Sequence, residues 1–203
     1  ELERYLSKGG FPAHLADEPS EGLRRQIRED IAGRAIERDL FVAGSGDRVM
    51  ERLDVDRLRQ LFVYLAQDSG AIFNAVDRAA DLGAHRATVA AWLQLLDDAC
   101  LVHRIWPYSP PKGAHLPKAK GRLAAKPKVY VSEHGLIPAF VLYAFPMREE
   151  EVRKRVFETV VLRHILDLVE SRDEVFYYRR GDDLEIDFGT GLNERKITWA
   201  QTD

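Results

Sequence analysis

Through residues 24–41 the apolar positions Leu23, Ile27, Ile31, Ala35, Ile36 and Leu40 recur at helical spacing, with Arg24, Arg25, Arg28, Glu29, Arg34, Glu37 and Arg38 between them. That period draws one apolar stripe along a helix and leaves a charged, solvated face opposite. Ahead of it, residues 2–6 form an amphipathic turn that Gly9, Gly10 and Pro12 must break, and residues 16–21 form a polar loop. Gly44, Ser45, Gly46 and Asp47 end the long helix. Leu53, Leu58, Leu61, Phe62 and Leu65 then open a second helical stripe, which stops at the turn Asp68-Ser69-Gly70.

The next stretch is the most informative. Phe73, Val76, Ala79, Ala80 and Leu82 predict a short helix ending at Gly83; after Ala84-His85-Arg86, a second helix carries Val89, Trp92, Leu93, Leu95, Leu96 and Leu101 inward. Two short helices joined by a tight glycine-containing turn make the helix-turn-helix pattern. Residues 101–106 read as a strand and residues 128–131 as another, with a basic loop between them. A hairpin directly behind a helix-turn-helix predicts a winged helix, the hairpin being the wing. Beyond Gly135 an apolar run leads to a helix whose buried set is Val156, Val160, Leu162, Ile165, Leu166 and Val169, broken by Asp173. Residues 175–179 and 184–188 read as strands about the turn Gly181-Asp182-Asp183. After a turn at residues 189–193, residues 196–200 form one further strand.

The 203 residues are 45% hydrophobic and 31% charged, enough for real cores, and this excludes disorder, collagen and a disulfide scaffold. Cys100 stands alone and has no internal disulfide partner, which fits a reducing, cytoplasmic setting. No run approaches the roughly 18 apolar residues of a membrane span, and no signal peptide is visible, so no membrane partner is expected. The chain opens on Glu1 and is read as a piece of something longer.

The net charge of −3 conceals a division. Residues 102–131 hold seven basic side chains (Arg104, Lys112, Lys118, Lys120, Arg122, Lys126 and Lys128) and no acidic one, which leaves 23 basic against 33 acidic groups elsewhere. A +7 island in a −10 body is suited to phosphate or to an acidic partner. Glycines and prolines interrupt the island, so it is a loop able to follow a backbone rather than a helix face.

In a helix-turn-helix the start of the second helix enters the major groove. Arg86 suits guanine or a phosphate, Thr88 a phosphate and Gln94 adenine. Ala87, Ala90 and Ala91 dilute that face, and a protein-docking role stays open beside DNA binding. In the last third, Glu158 on a helix followed by Asp187 on a second strand gives the order in which restriction-endonuclease-like folds place the first carboxylates of a magnesium site. Glu194-Arg195-Lys196 has the spacing of the remaining acid and lysine, but it follows a Gly-Leu-Asn turn instead of an apolar strand, so catalysis is expected to be lost or incomplete. The six histidines are scattered without metal spacing. No glycine-rich loop ends in Lys followed by Ser or Thr, so no nucleotide-binding residue is assigned.

Taken in order, Tyr5 to Pro12, Glu37-Arg38-Asp39, Leu82-Gly83 before Thr88-Val89, Trp92-Leu93, Leu95-Leu96-Asp97, Leu101 and Pro107-Tyr108-Ser109 form a specific series. It continues with Lys128-Val129-Tyr130, Gly135-Leu136, Phe157-Glu158, Tyr177-Tyr178-Arg179 and Glu185-Ile186-Asp187-Phe188. The series resembles the C-terminal domain of unknown function of prokaryotic AAA-type P-loop ATPases, which joins a winged helix to a restriction-endonuclease-like unit. The resemblance covers essentially the whole chain. It implies an ATPase module outside this chain, with ATP and magnesium belonging to that module and no cofactor in this one. Members follow the Glu-Ile-Asp-Phe strand with an apolar strand ending in Glu-x-Lys, from which this chain departs.

The expectation is therefore an α+β, mainly helical chain. Residues 1–58 form a helical connector from the ATPase module, residues 59–134 a winged-helix domain, and residues 135–203 a small, incomplete nuclease-like α/β unit. The expected function is DNA binding by the winged helix, with the ATPase domain as a partner. A protein-interaction module with another partner and a magnesium-dependent nuclease are the alternatives, and whether the chain is itself an enzyme is left open.

Overall fold

The structure, a computed structural model, describes residues 1–40, 54–108, 126–144, 147–180, 184–193 and 196–200. The chain is α+β and mainly helical, with one mixed five-stranded sheet. Helix α1 (Leu2–Lys8) is followed by a single 3₁₀ turn at Pro12–His14. Helix α2 (Glu21–Arg28) starts where the Ser20 hydroxyl accepts from Leu23 N–H, and it continues into a π-helical segment, Glu29–Leu40. Ile27, Ile31 and Ile36 step by four and then five residues, which suits the wider i→i+5 turn.

Three capping side chains set the next starts. Asp54 opens α3 (Val55–Gln67), Asn74 opens α4 (Ala75–Asp81), and the His85 ring opens α5 (Arg86–Asp98) by accepting from Ala87 N–H. Because Asn74 fixes that start, Phe73 packs from outside α4 and not from within it. Leu101 likewise lies past the end of α5, where Cys100 takes a left-handed φ of 56° and turns the chain into strand β1 (Val102–Pro107). Strand β2 (Lys128–Val131), α6 (Leu136–Ala144), α7 (Glu149–Leu166) and a 3₁₀ turn at Arg172–Glu174 lead to β3 (Val175–Arg180), β4 (Leu184–Asn193) and β5 (Lys196–Ala200).

The sheet order is β2-β1-β3-β4-β5. β1 runs antiparallel to β2, with Val102 opposite Val131 and Ile105 opposite Lys128, and parallel to β3 through Trp106 and Pro107. The pairs β3–β4 and β4–β5 are antiparallel. Strand β4 runs on through residues 189–193, where a turn was expected: Thr190 pairs with both Val175 and Thr198, and register shifts absorb the glycines. Strands from the stretches on both sides of residue 134 thus share one hydrogen-bonded sheet.

Two cores hold the fold. The larger joins α2 to α6 around Leu58, Leu61, Phe62, Val89, Leu96 and Ile137. The smaller lies between α7 and the sheet and is made by Ile105, Tyr130, Leu162, Val175, Tyr177 and Phe188. No helix among the described residues is long and apolar enough to cross a membrane.

Candidate functional site

The smaller core opens at one edge into a cavity of about 470 Å³. Its floor and walls come from three places. The turn Ser69-Gly70-Ala71 runs beside β2, with Gly70 N–H donating to Val129 O at 2.8 Å and Val129 N–H to Ala71 O at 3.2 Å. Strand β4 contributes Glu185 and Asp187, two residues apart and therefore on one face of the strand. Helix α7 contributes Glu151, Lys154, Arg155 and Glu158, whose spacing puts them on one side of the helix.

Lys128, the first residue of β2, is 3% exposed, and its ammonium lies 2.8 Å from Asp187 Oδ1 and 2.5 Å from Glu185 Oε1. The same ammonium stands 5.6 Å from the centre of the Tyr177 ring. Burial pulls its pKa down, but the hydrogen bonds and charges of Asp187 and Glu185 outweigh burial and hold it above the ordinary lysine value. Lys128 therefore stays charged.

Glu158 is 9% exposed, and among the described residues its carboxylate makes no hydrogen bond and no ion pair. Burial, and then the charge of Asp187, raise its pKa above the usual carboxylate range. Tyr130 is fully buried, and its hydroxyl has no hydrogen-bond partner among the described residues. Burial, followed by the charges of Glu158, Asp187 and Glu185, pushes that hydroxyl well above the ordinary tyrosine value. Gly70, at φ 90°, is what lets these groups approach: a Cβ there would lie 2.6 Å from Glu158 Oε2, 3.1 Å from Tyr130 Cε1 and 3.6 Å from Tyr130 Cζ. The hydroxyl-bearing end of the tyrosine ring thus lies beside the Glu158 carboxylate.

The expected DNA-facing residues are placed as follows. Arg86 and Thr88 are exposed at the start of α5, and among the described residues their side chains make no hydrogen bond. Gln94 is exposed but bonded to Asp98 at 2.7 Å and to Arg104 at 2.8 Å. Arg104 is engaged with Asp97 at 2.7 Å, and Arg172 reaches the other oxygen of the same carboxylate at 3.0 Å. Lys126 is exposed, while its carbonyl accepts from Tyr177 Oη at 2.7 Å. Lys112, Lys118, Lys120 and Arg122 lie outside the described residues. Lys128 faces the cavity. Glu158 and Asp187, placed together by their order in the sequence, do share one site. Glu185 and Tyr130 were not singled out; each lies two residues along a strand from a member of the cluster, and that alternation is the signal that could have found them.

Residues 1–146 match the family described as a domain of unknown function, DUF8612. Two uncharacterized proteins, one of Mycobacterium bovis and one of Mycobacterium tuberculosis, are each 24% identical over 195 residues, which is 95% of this chain and 41% of theirs. The chain thus spans about two fifths of the length of these relatives. No solved structure matches.

Proposed function

This chain belongs to the DUF8612 family, and from that premise we propose that it is the DNA-engaging part of a longer protein. The observation that carries this reading is an order of elements. The helix pair α4–α5 leads straight into the antiparallel β1–β2 pair, and the residues between those strands, 108–127, carry five basic side chains and no acidic one. In this reading that order is taken as a winged helix-turn-helix, in which α5 would be the recognition helix and the β1–β2 connection the wing. Arg86 and Thr88 would reach base edges or phosphates from α5, and Lys112, Lys118, Lys120, Arg122 and Lys126 would follow the backbone. The length of the relatives leaves room for the AAA-type ATPase module that the sequence resemblance implies, and ATP and magnesium belong to that module in this reading. The setting would be cytoplasmic.

In the same reading the nuclease-like unit is inactive. Glu158 and Asp187 are hard oxygen ligands of the kind magnesium takes. Yet an ammonium already lies on Asp187, and no three His, Cys, Asp or Glu groups converge as metal ligands among the described residues. As built, the site fits a lysine and not a divalent cation. Supercoiled plasmid is expected to stay intact with this protein in magnesium or manganese; nicking that disappears in Asp187→Asn would contradict inactivity.

Reversing Lys118, Lys120 and Arg122 to Glu tests the DNA reading. Retention on duplex DNA should be lost with thermal stability unchanged. Unchanged DNA retention, with loss of a protein partner instead, would favour the docking role that the exposed Ala87, Ala90 and Ala91 suit.

A further inference from the structure

We propose that the cavity between α7 and β4 receives an alkylammonium group, held by a charge-assisted hydrogen bond to the Glu158 carboxylate. The ligand is a primary amine in its charged form, carried either by a small molecule or by the lysine side chain of a partner protein. The proposal goes beyond the DNA reading and does not depend on it.

The carboxylates of this cavity stand in two different states. On the β4 side, Asp187 and Glu185 are met by the Lys128 ammonium at 2.8 and 2.5 Å. On the α7 side, Glu158 is 9% exposed and lines the same cavity, but its carboxylate makes no hydrogen bond and no ion pair among the described residues. Lys154, one turn back on α7, and Arg155 attract it only through space, and Arg155 is turned toward Asp68 at 3.6 Å. Glu151 adds a further acidic side chain to the wall. The α7 side of the cavity is therefore where a cation is called for.

A charged acceptor taken out of water keeps its desolvation penalty until a donor reaches it. One carboxylate does not make a divalent-metal site, and no three His, Cys, Asp or Glu groups converge as metal ligands among the described residues. It does match a monovalent group with N–H donors, which gives one proton to Glu158 and turns the others to water or carbonyl oxygens. Lys128 shows that carboxylates here accept an ammonium. The volume of about 470 Å³ suits a small ligand. Gly70 keeps bulk away from the acceptor, since a Cβ there would lie 2.6 Å from Glu158 Oε2.

Thermal unfolding with n-butylammonium chloride tests this, with tetramethylammonium chloride at the same ionic strength as the reference, because that cation carries the charge and has no N–H to donate. The wild-type Tm should rise by about 3–6 °C when butylammonium is present at about ten times its dissociation constant, and tetramethylammonium should leave it unchanged. Glu158→Gln keeps the shape and removes the charge, and should bind butylammonium at least about tenfold more weakly. Equal shifts with the two cations, no shift with either, or an undiminished shift in Glu158→Gln overturns the proposal. Nα-acetyl-lysine amide separates the two sources. Tighter binding than butylammonium supports a partner's lysine side chain as the ligand, and weaker binding supports a free small amine. Failure to bind DNA would sink the DNA reading separately, whatever the result with amines.

Discussion

Glu158 is the residue whose chemistry is most out of balance. Its carboxylate is desolvated, faces the charge of Asp187, and has no donor among the described residues. A carboxyl whose folded pKa is raised weakens the fold when it ionises, so its cost is present above that folded value and disappears as pH falls through it. Glu158→Gln should therefore stabilise the protein at neutral pH by about 1 kcal/mol, equivalent to a rise in Tm of about 2–4 °C. The advantage should fade as the pH is lowered into the acid range; a variant less stable than the wild type at pH 7 would contradict it. The pairing of Glu158 with Asp187 was legible from their order on helix and strand. Lys128 was not: its charge belonged by sequence to the basic loop, and only the folded chain shows its side chain reaching Asp187 and Glu185 on β4, a strand that is not its neighbour in the sheet.

Among the elements, α1 and the chain after β2 meet in a close backbone approach at Gly9 and Gly135. Lys8, at the end of α1, gives its ammonium to the carbonyls of His14, Leu15 and Asp17. Glu133 accepts from Gly10 N–H at 2.9 Å, lies 2.7 Å from His134 Nδ1 and pairs with Arg163. The Tyr5 and His134 rings meet at 4.5 Å. A Cβ on Gly135 would lie 2.5 Å from Lys8 O and 2.8 Å from Gly9 Cα, so Gly135→Ala has to push α1 away and should cost about 1–3 kcal/mol in urea unfolding. Burial alone would raise the Glu133 pKa, but the adjacent His134 ring, the Gly10 N–H and the Arg163 charge hold it below the ordinary value. Its contribution is therefore complete above the unfolded-state pKa and is lost as pH falls through the lower folded one. Glu133→Gln should remove that part of the acid dependence and cost about 2 kcal/mol near neutrality; a stability curve that keeps its acid slope would contradict the assignment. The Gly-Gly-Phe-Pro and Gly-Leu pieces stood far apart in the sequence, and no periodicity could show that they touch. The helix pair and both strands of the β1–β2 hairpin were legible, because glycine and capping positions bracket regular apolar stripes. The π-helical segment and the length of β4 were not, since i→i+5 turns and bulged strands blur the periods by which elements are read.

At the scale of the molecule, helices and strands from the whole described chain join through one sheet, and charge is the property that distinguishes its regions. Of the seven basic residues in the island, the structure commits Arg104 to Asp97 and Lys128 to Asp187 and Glu185. Under the proposed DNA reading, that narrows the contact set to Lys112, Lys118, Lys120, Arg122 and Lys126, with Arg86 and Thr88 on α5. The acidic remainder would repel a duplex elsewhere, so under that reading contact should be confined and strongly dependent on salt. The most direct test of the central claim is a fluorescence-polarisation titration of the protein with random-sequence duplex DNA at two salt concentrations. With about four to five phosphate contacts, affinity should fall by a factor of about 150 to 500 between about 50 and 200 mM salt. No binding at the lower salt, or binding that salt does not weaken, would contradict DNA engagement by this chain.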